Sequence, residues 1–335
     1  QVPLLDASQE VGVGLDVESP VPRSAPALFC GECGTKLEPG DMFCGGCGGH
    51  VEKPPEDVPT ATVPWVRLAG TDEPLVVRDE ATECISGVTT ALSFVSIFGA
   101  ARSGKSTLIS FLCGIPNVFR ANPGTDSYTK GIDISNKFVS LREFSTAGGM
   151  GAAAAVEPAE GVELSIGFAD AEGQGDMGNQ YDVKLVAGYL VVSRVVLFNW
   201  NNSFQKNKIL DELAVMVEVA KRVQGGDQKP FGHLHVVFQN VRQTEMDEGQ
   251  DVRFQKLFGQ EADNGADRAV GTRNQIRKML LENFQSVSCQ LLPKPVRHDS
   301  FYDIGGSKIL RFEDLTPEYL HALGKLRATI SQQLQ

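Results

Sequence analysis

The sequence predicts an α/β fold in which helices cover both faces of a mostly parallel sheet. From about residue 66 onward, short apolar runs typical of buried strands alternate with amphipathic patterns typical of helices. Alternation of this kind favours crossover connections, and crossover connections join parallel strands. The predicted strands cover 92–98, 162–169, 190–199, 234–238 and 287–292, and the predicted helices cover 208–223 and 268–284.

The composition excludes some classes of protein. The 335 residues include 31 Lys and Arg against 42 Asp and Glu, so the net charge is -11. This balance argues against nucleic acid as the main partner, because phosphate backbones attract basic patches. With 41% hydrophobic residues the chain can bury a core, which excludes wholesale disorder. The strongest apolar run, 185–198, is interrupted by Gly188, Ser193 and Arg194, so neither a membrane segment nor a signal peptide is expected.

The chain is expected to divide into five parts. Residues 1–28 are interpreted as an extended acidic arm that contains proline, 29–51 as a compact cysteine module and 52–65 as a Pro-rich linker. Residues 66–305 hold the main α/β domain, and 306–335 begin a helical region. That helix has Thr316 as its predicted N-cap and Pro317 in the first helical position.

Four of the seven cysteines form two CxxC pairs, a pattern that predicts a structural zinc ribbon. Two disulfides are the alternative, but they require an oxidising compartment, whereas the three remaining cysteines favour a reducing, cytoplasmic one. Lys36 is the only basic side chain from Cys30 to His50, so the ribbon favours a protein partner over nucleic acid. The predicted zinc ligands are Cys30, Cys33, Cys44 and Cys47.

A phosphate-binding loop follows the first strong strand, with the spacing Gly99-x4-Gly104-Lys105-Ser106. Glycines at these positions let backbone N–H groups surround a β-phosphate at a helix N-terminus, while Lys105 reaches the β and γ oxygens. The Ser106 hydroxyl is a predicted Mg²⁺ ligand. The predicted phosphate-binding residues are Gly99, Ala100, Ala101, Arg102, Ser103, Gly104, Lys105, Ser106 and Thr107.

Two later segments carry residues that fit the same nucleotide. Asp170 and Gly173 follow a strand pattern, where a carboxylate can hold the Mg²⁺ shell and a glycine amide can meet the γ-phosphate. Thr129 lies between these residues and the phosphate loop and can close over the metal. Ser106, Thr129 and Asp170 are therefore the predicted Mg²⁺ ligands.

The blocks GAARSGKS, SYTKGI, DAEGQGD and CQLLPKP resemble the signature blocks of the dynamin-superfamily large GTPases of the guanylate-binding protein and atlastin group, over roughly residues 66–305. The resemblance implies a P-loop G domain that binds GTP and GDP with Mg²⁺, hydrolyses GTP and pairs with a second copy. It also implies that the last helix begins a helical middle domain. Arg102 takes the position of the family's arginine finger in cis, and the switch residues fall on Ser127, Thr129, Asp170 and Glu172.

Two positions depart from the family pattern. The base-reading Arg-Asp pair becomes Arg242 and Gln243, which exchanges a charged acceptor for a neutral amide and puts guanine selectivity in question. Glu245 or Asp247 could replace the lost carboxylate. Gln174 follows Gly173, where small GTPases place a glutamine that orients the attacking water, although an exposed loop glutamine fits equally well.

These departures leave two other functions open besides the GTPase. One is a nucleotide-binding structural or scaffold protein with little turnover, favoured by the altered base motif and the Gly- and Ala-rich run over 145–161. The other is an ATPase of a different lineage, which the match of CQLLPKP to the family's base-capping region disfavours.

Overall fold

The structure is a computed structural model of the chain. It divides into two compact units, Gln1–Glu56 and Asp57–Gln335. It describes residues 28–29, 36–37, 62–67, 74–115, 118–119, 131–146, 163–173, 179–201, 203–223, 229–262, 268–296 and 310–335.

The first unit contributes one short antiparallel pair of strands to the described residues. Strand β1 (Leu28–Phe29) pairs with β2 (Lys36–Leu37), with Leu28 opposite Leu37. The rest of the predicted arm and the four clustered cysteines lie outside the described residues.

A mixed, mostly parallel sheet organises the described part of the second unit, as the sequence predicts. Its order is β11-β10-β9-β5-β8-β6-β3-β4, with β7 paired to β8. The path from β11 to β8 is parallel, whereas β3, β4, β6 and β7 pair antiparallel with their neighbours. The strands are β3 (Thr62–Arg67), β4 (Val76–Val77), β5 (Ala91–Phe98), β6 (Ile132–Ser135), β7 (Val139–Ser140), β8 (Leu164–Ala171), β9 (Ser193–Trp200), β10 (Phe231–Val241) and β11 (Phe284–Pro293).

Helices cover both faces of this sheet because its central strands alternate between two cores. Phe94 and Phe98 of β5 belong to one buried cluster, and Val95 and Ile97 belong to the other. The first cluster includes helices α4, α5 and α8, and the second includes α2, α3 and α9. The helices are α1 (Asp79–Ser86), α2 (Lys105–Cys113), α3 (Leu141–Thr146), α4 (Asn179–Leu190), α5 (Lys206–Val223), α6 (Gln243–Glu248), α7 (Gln250–Phe258), α8 (Arg268–Asn283) and α9 (Pro317–Leu334).

Several boundaries differ from the sequence prediction, and three of them show why. The predicted linker 52–65 ends too late, because Thr62–Arg67 is strand β3, in which Trp65 stacks on Phe94 with ring centroids 4.9 Å apart. The predicted strand 190–199 begins too early, because helix α4 continues to Leu190 and β9 starts at Ser193. Helix and strand adjoin there within one apolar run, so hydrophobicity alone does not separate them. The predicted helix 268–284 ends one residue late, since Phe284 begins β11.

Helix α9 begins as predicted but packs into the core of this unit. Thr316 caps it by accepting a hydrogen bond from the Tyr319 N–H at 3.2 Å. Arg327, which is 4% exposed, donates to the Leu112 carbonyl at 3.0 Å and to the Phe144 carbonyl at 2.8 Å. The sequence predicts that residues 306–335 begin a helical middle domain, and this packing joins helix α9 to the second buried cluster. No helix in the described ranges is both long enough and apolar enough to span a bilayer.

Candidate functional site

The predicted phosphate-binding loop, residues 99–106, runs from the end of strand β5 into the first turn of helix α2 through backbone conformations that few residues adopt. Gly99 has φ +139°, and a Cβ there would lie 2.4 Å from the Asn199 carbonyl oxygen. Gly104 has φ +81° and immediately precedes helix α2. Arg102 has φ +59° and an exposed side chain, so a non-glycine residue occupies a left-handed position inside the loop. This loop lies at the carboxyl end of a central parallel strand, where open α/β sheets bind their ligands.

Lys105 folds back over the loop that precedes it. Its Nζ donates to the Ala100 carbonyl oxygen at 2.9 Å, and the residue is 6% exposed. This hydrogen bond places the ammonium against the backbone of the predicted phosphate-binding loop.

A candidate Mg²⁺ site forms where helix α2 meets strand β8. The Ser106 hydroxyl donates to Asp170 Oδ2 at 2.6 Å, and Asp170 is 1% exposed. Strand pairing places Asp170 opposite Ile97, one residue before the end of β5. A hydroxyl and a carboxylate are the hard oxygen ligands that Mg²⁺ prefers, so these two side chains fit the ion. The third predicted ligand, Thr129, lies outside the described residues.

The Glu172 carboxylate joins the end of β8 to the start of β6. Its Oε2 accepts from the Gly131 N–H at 2.9 Å and from the Tyr181 hydroxyl. Burial, followed by this hydrogen bond to Glu172, raises the pKa of Tyr181, which therefore stays protonated as a donor. The predicted switch residue Glu172 thus accepts hydrogen bonds from two protein groups.

Gly173 lies directly against the phosphate loop. A Cβ at this position would be 2.3 Å from the Ala101 Cα, so only glycine permits the approach. The contact brings the segment that follows β8 next to the predicted γ-phosphate position. Ser127 and Gln174, the remaining predicted switch residues, lie outside the described residues.

An amide network missed by the sequence analysis supports the loop from the neighbouring strands. Asn199, fully buried at the end of β9, donates from Nδ2 to the carbonyl oxygen and the hydroxyl oxygen of Ser103. Gln239 on β10 donates to Asn199 Oδ1 at 2.6 Å and to the Ser103 carbonyl at 3.4 Å. The sequence signal for this network is the pair of polar residues, Asn199 and Gln239, near the carboxyl ends of two adjacent parallel strands.

The predicted base-reading residues follow strand β10. Arg242 and Gln243 are both exposed, and Gln243 begins helix α6. Gln243 Nε2 donates to Asp247 Oδ1 at 2.8 Å, and the Arg242 N–H donates to Glu245 Oε2 at 3.3 Å. The Arg–Gln motif is therefore bonded to both acidic side chains that were considered as replacements.

The structure describes only some of the predicted metal ligands. Within it, no group of three or more His, Cys, Asp or Glu side chains is arranged to hold a metal ion. The predicted zinc ligands lie outside it, so the zinc site stays a prediction.

The sequence matches the family model of the guanylate-binding protein N-terminal domain over residues 72–333, which is more than half of the chain and reaches into helix α9. No curated protein matches it. Among solved structures, it is similar to Roco2 RocCORdC of Methanosarcina barkeri bound to GDP, at 14% sequence identity and a TM-score of 0.31. That similarity covers 72% of this chain and 49% of the other, so this chain spans about half of that protein.

A structural similarity with so low a sequence identity and TM-score does not indicate function. The family match, in contrast, rests on the sequence alone. The matched region contains the phosphate loop, the Ser106 and Asp170 pair, and the Arg242–Gln243 motif. The chain therefore belongs to the guanylate-binding protein family, and it contains that family's N-terminal domain, a G domain of the large-GTPase type.

Proposed function

We propose that the chain is a Mg²⁺-dependent GTP hydrolase of the guanylate-binding protein and atlastin type. The observation that carries this proposal is the 2.6 Å hydrogen bond between Ser106 and Asp170. These side chains come from separate elements, and both are the residue types that hold Mg²⁺ beside a P-loop.

Different residues would bind the phosphates and the Mg²⁺ ion. Backbone N–H groups from Gly99 to Thr107 would bind the phosphates, and Lys105 would contact the β and γ oxygens. Ser106, Asp170 and Thr129 would hold Mg²⁺, which neutralises charge on the β- and γ-phosphates when bound.

Arg102 would act as an arginine finger in cis. Its side chain is exposed, and its left-handed backbone belongs to the loop that surrounds the phosphates. Charge on the transferring phosphoryl group is stabilised by a guanidinium at this place. Ser127 and Gln174 would orient the attacking water. Glu172 would act through Gly131, by fixing the backbone that follows Thr129.

Hydrolysis is tested by comparing three variants of the full chain with Mg²⁺ and GTP. Arg102→Ala is expected to lower kcat on the order of 1,000-fold while nucleotide binding persists. Lys105→Ala is expected to remove binding, and Arg222→Ala, a charge loss at an exposed position at the end of α5, serves as the control. Equal turnover in Arg102→Ala and the wild type would contradict the finger role.

A second candidate function is a nucleotide-binding scaffold with little turnover, and Gln243 in the base motif favours it. The same assay separates the two functions. Tight GTP binding by the wild type without phosphate release would support the scaffold, and a preference for ATP would overturn the guanine assignment.

Pairing of two G domains across the nucleotide face is part of the proposed GTPase function, by analogy with the family. Sedimentation of the wild type with GDP and with a transition-state analogue of GTP tests it. A dimer is expected only with the analogue, and a monomer in both conditions would contradict the pairing.

We further propose that the first unit is a zinc ribbon that docks a protein partner in a reducing, cytoplasmic setting. Strands β1 and β2 pair antiparallel, and the first CxxC lies in the segment that joins them, which is where a zinc knuckle needs its cysteines. Zinc analysis of the purified chain should find stoichiometric metal in the wild type and in Cys84→Ser, but not in Cys44→Ser. Unchanged zinc in Cys44→Ser would eliminate the site.

A further inference from the structure

The base of a bound nucleotide has a definable place along the carboxyl edge of the sheet. The phosphate loop follows β5, and β9 and then β10 lie next to it in the sheet. The end of β10 is therefore two strand spacings, about 10 Å, from the loop. Gln239, near that end, reaches Ser103 in the loop by a 3.4 Å hydrogen bond. Phosphates in the loop thus leave the base to extend toward the residues after β10.

The first of those residues do not supply a charged acceptor. Guanine presents two N–H donors on its recognition edge, N1–H and the 2-amino group, and a carboxylate accepts from both. Arg242 is a donor only, and the Gln243 amide is neutral. A carboxylate must come from another position if this site selects guanine.

Glu245 fits that role less well than Asp247, because both of its carboxylate oxygens already accept from protein groups. Oε1 accepts from Arg253 at 2.7 Å, and Oε2 accepts from the Arg242 N–H at 3.3 Å. Arg253 is 4% exposed and lies over the rings of Phe204 and Phe238, with its guanidinium carbon 4.5 and 5.3 Å from their centroids. Moving Glu245 away would leave a buried guanidinium without this carboxylate.

Asp247 meets the requirement. Its side chain is exposed one helical turn beyond Gln243, and Gln243 Nε2 donates to its Oδ1 at 2.8 Å. A carboxylate has about four lone-pair sites, so this hydrogen bond orients the group and leaves acceptor capacity for a ligand. The same bond satisfies an N–H of Gln243, a donor that cannot pair with the donors of guanine.

We infer that Asp247 is the specificity-determining residue that accepts from the guanine edge, and that Gln243 is the positioning residue that holds it. This inference rests on the proposed function, because it assumes that the chain binds a guanine nucleotide in the phosphate loop. The carboxylate that reads the base has moved from position 243 to a residue one helical turn further along the chain.

Exchange of the acceptor for a donor tests the assignment. Xanthine carries a carbonyl where guanine carries the 2-amino group, so an asparagine N–H can donate to the 2-position of xanthine but not to that of guanine. With fluorescent GTP and XTP and the full chain in Mg²⁺, Asp247→Asn is expected to shift the ratio of the two dissociation constants toward XTP by about 10- to 100-fold. Asp251→Asn makes the same charge change at an exposed position on α7 and should leave the ratio unchanged.

Two further variants test the role of Gln243. Gln243→Ala should lower the preference for GTP over XTP less than Asp247→Asn does, because it removes the support and keeps the acceptor. Gln243→Asp combined with Asp247→Asn should restore the preference for GTP, since it returns a carboxylate to position 243. Circular dichroism of each variant establishes that it is folded.

The outcomes separate this inference from the proposed function. A wild type that binds GTP no better than ATP would overturn the guanine-nucleotide function itself. A wild type that selects GTP, together with an Asp247→Asn variant whose GTP to XTP ratio is unchanged, would overturn the role of Asp247 and leave the function intact. In that case the Gln243–Asp247 bond would only stabilise helix α6.

Discussion

Asn199 donates from its Nδ2 to both oxygen atoms of Ser103, the carbonyl at 2.7 Å and the hydroxyl at 3.0 Å. One buried side chain on the neighbouring strand β9 thereby fixes the phosphate loop by two hydrogen bonds. The loop therefore depends on a residue outside its own sequence motif, and Gln239 orients that residue by donating to its Oδ1.

Replacing Asn199 should weaken nucleotide binding. Asn199→Ala removes the donor to the Ser103 hydroxyl oxygen and the shorter of the two hydrogen bonds to the Ser103 carbonyl, so we expect a loss of about 1–3 kcal/mol in unfolding free energy and weaker GDP binding. Asn199→Asp should bind GDP more weakly still, because a carboxylate would face the Ser103 carbonyl. Urea denaturation and GDP titration measure both effects. Asn283→Ala, which removes an amide bonded to the Met279 carbonyl near the end of α8, should leave GDP affinity unchanged.

Adding one methyl group at Gly173 should weaken nucleotide binding while the fold persists. The new Cβ would lie 2.3 Å from the Ala101 Cα, so either the loop or the end of β8 must move. Gly188→Ala is the matched control, since its Cβ would meet only side-chain atoms at 3.5 and 3.7 Å. We expect Gly173→Ala to lose GDP affinity at least tenfold in a fluorescence titration and Gly188→Ala to match the wild type. Equal affinities would show that the loop adapts without cost.

Loss of Arg327 should destabilise the G domain. Arg327→Ala removes the donors to the Leu112 and Phe144 carbonyls, and we expect about 2–4 kcal/mol less unfolding free energy in urea. Arg327→Lys keeps a positive charge but not the forked geometry, so it should recover only part of that loss. A fully stable Arg327→Ala would mean that water or a neighbouring group replaces both hydrogen bonds.

Stability should fall in mild acid because of His235. Burial lowers the pKa of His235 from 6.5 to about 4, so between these values the unfolded chain binds a proton that the folded chain does not. The contribution is fully present above pH 6.5 and decreases as the pH falls toward 4, by up to about 3 kcal/mol. Urea denaturation at pH 7 and pH 5 should show this loss in the wild type and in His321→Gln, whose histidine is exposed, but less of it in His235→Gln.

Local sequence signals predicted the parts of this molecule that local chemistry determines. The phosphate loop depends on glycines at fixed spacing, and the N-cap depends on the hydroxyl of Thr316. Both features could therefore be predicted from the sequence. Alternating apolar runs predicted the parallel strands for the same reason.

Features that require two distant segments were not predictable in this way. The sequence contains Glu172 and Tyr181 nine residues apart, but nothing in it states that they share a hydrogen bond with each other. The role of Asn199 depends on β9 lying beside β5, which is a property of strand order. The prolines around Trp65 are typical of loops and predict a linker, whereas Trp65 lies in strand β3 and stacks on Phe94.

Helix α2 has the phosphate loop at one end and a partner of Arg327 at the other. It is nine residues long, so Lys105 and Leu112 are separated by roughly 10 Å of continuous hydrogen-bonded backbone. Arg327 of α9 donates to the Leu112 carbonyl, so the two ends of α2 contact the predicted phosphate loop and the last helix respectively. Helix α2 therefore joins the predicted phosphate loop to helix α9, through the Arg327 hydrogen bond to Leu112 and through the Phe111 ring, whose centroid lies 6.5 Å from that of Tyr319.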